Sequence, residues 1–277
     1  MTRATRRGRD AAPRRLRALT AALILLATPI AGADEPEDHW ERGEARAFGA
    51  GRVDLGTFEH LGLAAGFGKP HWTWAGVEVH GALGLDFAAA AADLRVALLV
   101  FDLWAGLRTT HAFKHLPLPE APRHEGIPTG GGFSYRTLDL FASGAVPTPG
   151  GLALWELNAV RFLDPPAGAQ IYEEWLRVVC APPWCGVARL AWAARLRDGA
   201  LYLGAGAEWA FEDGRPGPEL VRVGPVVSWR LWPHLSFQGA VYVPVSDPDR
   251  LAFLDRVNAV LVLSWTFATG DPPPRFP

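Results

Sequence analysis

The chain has 277 residues, of which 27 are basic and 29 acidic. Removal of residues 1–33 as a signal peptide would take away seven arginines and one aspartate, leaving a net charge of −8. Such an acidic chain lacks the positive surface that nucleic acids require, so we exclude them as partners. The 244 residues that remain can form one all-β domain without dividing.

The first 33 residues have the three regions of a signal peptide. Seven arginines precede an apolar run from Leu19 to Ile30, and Ala31-Gly32-Ala33 matches a small-residue cleavage site. An uncleaved anchor helix is the alternative, but the apolar run is shorter than the ~20 residues that a membrane span needs. We therefore predict a Sec-type signal peptide over residues 1–33 and an acidic periplasmic lead-in over 34–43.

The clearest strand pattern of the N-terminal half runs from Thr73 to Phe87. Apolar residues occupy alternate positions, as in a β-strand with one apolar and one polar face. The polar face carries Glu78, His80 and Asp86. Upstream, residues 44–50 and the second half of 52–67 are interpreted as strands with a shorter pattern.

Residues 87–107 allow two interpretations. A transmembrane helix here would contain Asp93, Arg95 and Asp102, each costing about 2.5–3.5 kcal/mol near the bilayer centre. As strands, the same residues place their aliphatic side chains on one face, opposite the charges. The alternation changes face beyond Asp102, which predicts a bulge or a tight turn.

Two features of the central region are not simple strands. Residues 113–132 contain four prolines and three consecutive glycines, which predicts a long loop that is either functional or mobile. Cys180 and Cys185 flank a Pro-Pro sequence and are predicted to form a disulfide in a hairpin with arms Ile171–Cys180 and Cys185–Arg197. A redox or metal role would need a two-residue spacing or further His and Cys partners.

Three similar runs lie between residues 220 and 268. Each alternates over ten or more residues, longer than the five or six of an ordinary strand and close to the nine to eleven that cross a bilayer. Pro225 and Pro244 predict bulges or strand ends in the first two runs. The twelve tryptophans suit bilayer interfaces, although tryptophan also fills large cores. The sequence thus predicts an all-β fold, a single antiparallel transmembrane β-barrel of about twelve strands over residues 44–268, with a Pro-rich tail at 269–277.

The polar faces of these strands predict a hydrated or plugged barrel interior. The candidate lumen-lining residues are Glu78, His80, Asp86, Arg189, Arg195, Glu208, Arg222 and Arg230.

Catalytic and metal chemistry have little support in the sequence. His80 beside a carboxylate is compatible with general acid–base catalysis, but no G-x-S-x-G motif is present, so we predict no catalytic residue and leave enzymatic activity open. His111, His115 and His124 lie around the long loop without acidic or cysteine neighbours at ligand spacing. We therefore predict no metal site and no cofactor.

The side of the membrane on which each loop lies follows from the strand count. Threading about twelve strands back from a periplasmic C-terminus places Trp232-Pro233-His234 and Asp198-Gly199 at the end with short turns, as expected. It places residues 113–132 at that same end, which is unexpected for a long loop. Either the count is wrong by one near Asp102, or this segment folds back toward the lumen.

The signal peptide, the alternating strands and the final Leu263-Ser264-Trp265-Thr266-Phe267 resemble those of Gram-negative outer-membrane β-barrel proteins. Trp265 and Phe267 are similar to the aromatic end of the signal read by the barrel-assembly machinery, although Val262 stands where that signal usually has glycine and the chain continues past the strand. The resemblance implies an outer-membrane location, contact with its lipids, and the assembly machinery as a partner during insertion. It matches no subfamily and carries over no functional residues.

Three classes of function follow from this architecture. The first is a pore or passive channel for small solutes. The second is a closed barrel with an envelope-structural, adhesive or lipid-modifying role. The third is a soluble periplasmic β-protein.

Overall fold

The computed structural model of the protein describes residues 45–69, 73–98, 101–212, 220–232 and 234–268. The signal peptide at 1–33, the lead-in at 34–43 and the tail at 269–277 lie outside the described residues and stay predictions. No helix in the described part of the chain is both long and apolar enough to span a membrane.

Twelve long antiparallel strands within the described residues form one closed barrel, in which the first strand pairs with the last. This confirms the predicted fold class. The barrel strands are β1 (Arg46–Gly56), β2 (Glu59–Lys69), β3 (Thr73–Leu83), β4 (Phe87–Leu98), β5 (Phe101–Ala112), β7 (Phe133–Thr148), β8 (Gly151–Phe162), β11 (Trp184–Leu196), β12 (Leu201–Glu212), β13 (Val221–Trp232), β14 (Leu235–Ser246) and β15 (Asn258–Ala268).

Three short strands, one short α-helix and a 3-10 helix at Arg197–Gly199 complete the described part of the fold. β6 (Leu118–Pro119), β9 (Ala169–Glu173) and β10 (Val178–Cys180) form a separate sheet with β9 in the middle. Helix α1 (Phe253–Arg256) lies in the connection between β14 and β15. The small sheet belongs to the loops and pairs with no barrel strand within the described residues.

The exterior of the barrel is apolar. Leu63, Val77 and Leu94 are at least half exposed, whereas the charged side chains of Glu78 and Arg95 on the opposite faces of their strands are buried. A closed sheet has one interior, so these aliphatic side chains have no protein partner in the monomer. A continuous apolar exterior of this kind is typical of a barrel surrounded by lipid hydrocarbon.

Aromatic side chains collect on the exterior near one end of the barrel. They lie close to the strand ends that are joined by short turns, where the indole of Trp192 also donates a hydrogen bond to the hydroxyl of Thr148 at 3.0 Å. Such a band is typical of the membrane interface, because Trp places an apolar ring and a polar N–H at the headgroup level. Its exposed members are Phe67, Phe101, Trp192, Trp229, Trp232 and Trp265.

The connections at this end of the barrel are all short, and the long connections lie at the other end. The long ones span residues 113–132, 163–183 and 247–257. This asymmetry matches outer-membrane barrels, which have short periplasmic turns and longer external loops. The residues 113–132 therefore lie at the loop end, and not at the short-turn end as the strand count from the sequence predicted.

Two errors in the predicted strand count explain this difference. The count treated residues 87–107 as one strand, but they belong to two, because Leu98 at the end of β4 pairs with Phe101 at the start of β5. The segment Ile171–Cys180 is not a barrel strand, because its residues form β9 and β10, which pair with each other. The two errors leave the total number of strands unchanged. They place every loop between these two segments on the wrong side of the membrane.

Candidate functional site

A hairpin from the loop end enters the mouth of the barrel. We call residues 169–180, which comprise β9, a turn and β10, the lumen hairpin. One face packs on the barrel wall through Ile171, and the other packs on the long loops through Tyr172. Both faces are therefore buried, which explains why the segment alternates in sequence like a barrel strand. The predicted disulfide Cys180–Cys185 is present and joins the end of β10 to the start of β11.

The tip of the lumen hairpin reaches the opposite wall of the barrel. The ring of Trp175 lies 5.3 Å from that of Phe58 and 5.9 Å from that of Phe87, measured between centroids. It also stacks on the imidazole of His80 at 6.4 Å, and the guanidinium of Arg108 lies 5.9 Å from its centre. The hairpin starts beside β8 and β11 and ends against β3 to β5, so it crosses the mouth.

Glu173 is fully buried and anchors the hairpin by its carboxylate. Its oxygens accept hydrogen bonds from Arg108 at 2.7 Å, from the hydroxyl of Tyr135 at 3.1 Å and from the backbone N–H of Leu176 at 2.6 Å. Arg108 also donates to Asp139 at 2.5 Å. Each buried charge thus has several partners, as burial of an ion pair requires.

Arg222 holds the turn of the hairpin from the other side of the mouth. Its guanidinium donates to the backbone carbonyls of Leu176 at 3.2 Å and of Arg177, and to the carbonyl of Arg256 at 2.6 Å. It also pairs with the carboxylate of Glu208 at 2.5 Å. One buried side chain therefore joins β13, the hairpin and the loop before β15.

Glu208 is the centre of this second network. Besides Arg222, it accepts hydrogen bonds from Arg189 and from the amide of Asn258, both at 2.7 Å. Arg189 also pairs with Glu156 on β8. The network spans five barrel strands, and each of its carboxylates and guanidiniums has a partner of opposite charge inside the barrel.

A third group of charges lies on the wall formed by β1 to β5. His60 lies opposite Asp54 in the β1–β2 register, with its Nδ1 atom 3.1 Å from a carboxylate oxygen, and Arg52 donates to the same carboxylate at 2.6 Å. The Nε2 atom of His80 lies 3.6 Å from the carboxylate of Asp93. The two imidazole centroids are 5.2 Å apart.

The same wall continues toward the short-turn end. Arg95 pairs with Glu78 at 3.0 Å and with Asp102. Glycine on neighbouring strands makes room for these groups, since a Cβ atom added to Gly106 would lie 1.9 Å from a carboxylate oxygen of Asp93. We call this surface, with its four carboxylates, the acidic wall; it consists of Arg52, Asp54, His60, Glu78, His80, Asp93, Arg95 and Asp102.

The long loops cover the outer side of the lumen hairpin. The imidazole of His115 lies 2.6 Å from the carboxylate of Glu174, and the backbone N–H of His124 donates to Asp249 at 2.8 Å. Leu118 and Leu251 of the loops also pack against Tyr172 and Val179 of the lumen hairpin in an apolar cluster. These contacts hold the loops at 113–132, 163–183 and 247–257 against one another.

The pair of His115 and Glu174 titrates with the pH of the medium. The hydrogen bond to Glu174 raises the pKa of His115 above its ordinary value of 6.5. Burial raises the pKa of Glu174, and its imidazole partner opposes that shift. The pH dependence comes from His115, whose raised pKa follows from its direct 2.6 Å contact with Glu174. Its stabilising effect is complete below pH 6.5 and is lost as the pH rises through the raised pKa.

Raising the pH above neutrality is therefore expected to loosen the lumen hairpin. The measurement is amide hydrogen exchange of residues 169–180, compared at each pH with the variant His115→Gln so that the intrinsic pH dependence cancels. The protection ratio of wild type to variant should exceed one at pH 6 and fall toward one in alkaline buffer. His111→Gln, an exposed histidine outside this contact, is the matched control. A ratio independent of pH would contradict the assignment.

The predicted lumen residues fall into three sets in the structure. Glu78, His80, Arg189, Glu208 and Arg222 belong to the buried networks described above. Asp86 lies beyond the end of β3 and not on a strand as predicted, because the strand ends at Leu83, and its carboxylate pairs with Lys114. Arg195 and Arg230 are exposed near the short-turn end and join none of these networks.

The sequence reading missed several interior residues, above all Asp54, His60, Arg108, Asp139 and Glu173. A signal was present for some of them, since Arg108 and Asp139 alternate with outward aliphatic residues on their strands. Glu173 carried no such signal, because its role depends on the hairpin folding into the barrel. No group of three or more His, Cys, Asp or Glu residues in the described ranges is arranged to hold a metal ion.

Similarity to known proteins is found among solved structures. No protein-family model matches the chain, and no curated protein matches it. Among solved structures, the chain is similar to the beta domain of the Bordetella autotransporter BrkA, with 13% sequence identity and a TM-score of 0.38 over 80% of this chain and 97% of that one. The closed twelve-strand barrel of the described residues, with its apolar exterior, is what gives the chain an architecture like that of outer-membrane β-barrel proteins.

Proposed function

We propose that the protein is a small-solute channel of the outer membrane, closed at its loop end by the lumen hairpin in the resting state. The observation that carries the proposal is the continuation of the acidic wall past the hairpin tip. Asp102 lies near the short-turn end of β5 and keeps 24% of its side chain exposed, and Arg52 keeps 16%. Charged side chains along the interior of a barrel are typical of a water-filled path.

The lumen hairpin has the properties of a gate in this proposal. Its tip is held by polar contacts to separate walls, through Glu173 on one side and through backbone carbonyls to Arg222 on the other. A segment held this way can leave the mouth without breaking the hydrogen-bonded ladder of the barrel. Solute passage would then depend on the equilibrium between inserted and withdrawn hairpin.

The proposed location is the outer membrane, with its lipids against the apolar exterior. The barrel-assembly machinery is the proposed partner during insertion, through the last strand that contains Trp265. Cell fractionation tests the location: the protein should stay with the outer membrane after washing with salt and urea, and should need detergent for extraction. Release without detergent would support a soluble periplasmic protein.

Single-channel recording tests the gate. The double variant Glu173→Gln, Trp175→Ala removes the buried anchor and the tip contact together, and we expect the open fraction to rise about tenfold or more. A loss of ~1.4 kcal/mol from the closed state is sufficient for that change. Wild-type protein in planar bilayers should show infrequent, brief conductance steps.

The matched control is Trp184→Ala, which removes a tryptophan from the barrel exterior, where it contacts Arg161. This variant should behave like wild type. Folding of every variant is checked by heat-dependent migration in detergent gels. If the folded double variant never conducts, the protein is a closed barrel, and the Glu208 network is then an internal brace for an envelope-structural role.

A further inference from the structure

We propose that the loop end of the barrel exterior carries a site for an anionic lipid with a phosphomonoester headgroup. This inference rests on the proposed membrane location and is independent of solute conduction. The site is formed by three exposed side chains near the loop ends of β5, β7 and β8, which we call the exterior row: His111, Arg136 and Arg161.

The exterior row faces away from the barrel interior. The residues next to its members in the chain are fully buried, namely Thr110, Thr137 and Val160. Val160 packs in the apolar cluster that contains Ile171 of the lumen hairpin, so its side chain points inward. Because successive side chains of a strand point to opposite faces of the sheet, the members of the exterior row point outward.

Strand pairing brings the members of the row together. Arg161 lies opposite Leu138, which is two residues from Arg136 on β7. His111 lies opposite Ser134, also two residues from Arg136, and its Nδ1 atom is 2.8 Å from the Ser134 hydroxyl. Such diagonal neighbours on paired strands are about 7–8 Å apart. Two arginine side chains at this separation can contact the same phosphate group.

Arg161 lies at the level of the barrel where lipid headgroups are expected. It is opposite Trp184 in the β8–β11 register, and its guanidinium is 5.7 Å from the centre of the Trp184 ring. Residues 184–192 of β11, nine in number, connect this ring to Trp192 in the aromatic band at the short-turn end. Since about nine to eleven residues of a tilted strand cross the hydrocarbon, Trp184 and Arg161 lie at the opposite interface.

The two arginines are available to an anion. Among the residues that the structure describes, no carboxylate lies within ion-pair distance of Arg161. Arg136 pairs with Asp164, and these side chains are 64% and 65% exposed. An exposed ion pair contributes little to stability, so a phosphate can replace Asp164. Guanidinium binds phosphate through parallel charge-assisted hydrogen bonds, and a phosphomonoester carries enough charge for two arginines.

An apolar surface continues from the row toward the short-turn end. Its exposed leucines on β7, β8 and β11 are Leu140, Leu157 and Leu190. The acyl chains of a lipid whose phosphate contacts the row would lie on these side chains. A free phosphate ion would gain the polar contacts alone, so the surface favours a lipid.

Native mass spectrometry of the protein in nonionic detergent measures the binding of added lipid. We expect phosphatidic acid, a phosphomonoester lipid, to bind about tenfold or more tightly than phosphatidylcholine. Arg161→Gln should weaken the binding of phosphatidic acid about tenfold, and the double variant Arg136→Gln, Arg161→Gln should remove the preference. Arg161→Lys keeps the charge without the planar fork and should be intermediate. The matched control is Arg123→Gln, which removes an exposed loop arginine that also pairs with a carboxylate, Glu125.

Each outcome supports or overturns the lipid site separately from the channel. Equal affinity for the two lipids overturns the site, whether or not the protein conducts. An equal loss of binding in Arg123→Gln and Arg161→Gln reflects general charge attraction and overturns the assignment to the row. Displacement of phosphatidic acid by excess inorganic phosphate shows that the arginines recognise the free ion and not a lipid. Heat-dependent gel migration identifies variants that fail to fold, and Arg161→Lys then decides the outcome.

Discussion

Replacing Glu208 with alanine is expected to lower the free energy of unfolding of the barrel by about 3–5 kcal/mol, the loss typical of breaking a buried ion pair. The carboxylate of Glu208 is 1% exposed and compensates Arg189 and Arg222 at once. Its removal leaves two buried guanidiniums with fewer partners, and Arg222 also loses the orientation with which it holds the hairpin turn.

Urea-induced unfolding of the protein refolded in lipid vesicles measures this loss. The matched control is Glu125→Ala, because the Glu125 side chain is 70% exposed and surface substitutions usually change stability by about 0.5 kcal/mol or less. The companion variant Glu208→Gln keeps the shape and one acceptor, so it should lose less. Equal stability of Glu208→Ala and wild type would show that the network is not formed as described.

Replacing Leu94 with arginine is expected to destabilise the protein in a bilayer by about 2–4 kcal/mol, the cost of a cation facing lipid near the midplane. Leu94 is 66% exposed in the middle of β4, and Val77 beside it on β3 is 51% exposed. In a soluble protein such an exposed position would accept arginine without a large change in stability.

Leu254→Arg is the matched control for this prediction. Leu254 is 75% exposed, but it lies in helix α1 of the loop region and not on the barrel exterior. The two variants introduce the same charge at similarly exposed leucines, so only the surroundings differ. If both variants are as stable as wild type in lipid vesicles, the apolar exterior does not face hydrocarbon.

Strand periodicity predicted most of the barrel strands, because apolar and polar residues alternate along a strand whose two faces have different surroundings. It placed Leu94 outward and Glu208 and Arg222 inward, as the structure has them. Periodicity could not separate Ile171–Cys180 from a barrel strand, since both faces of the lumen hairpin are buried and alternation only reports that the segment is extended.

Contacts between residues far apart in the chain could not be predicted from the sequence for a different reason. Arg108 and Glu173 are 65 residues apart, and their contact exists only because a loop folds inward. Nothing local to either residue determines that event. Gly106 was a usable signal, because glycine inside a strand often marks close approach of another group, here the carboxylate of Asp93.

The pairing of β1 with β15 has a consequence for biogenesis. Residues at the two extremes of the barrel, such as Ala50 and Ala268, are partners in the register of these two strands, so the barrel cannot close until synthesis and export of the last strand are complete. Before that moment both terminal strands present unpaired backbone groups, which in hydrocarbon are costly and in water promote association between chains. A nascent polypeptide truncated before β15 should therefore need a chaperone throughout its transit and should accumulate as aggregate where that protection fails.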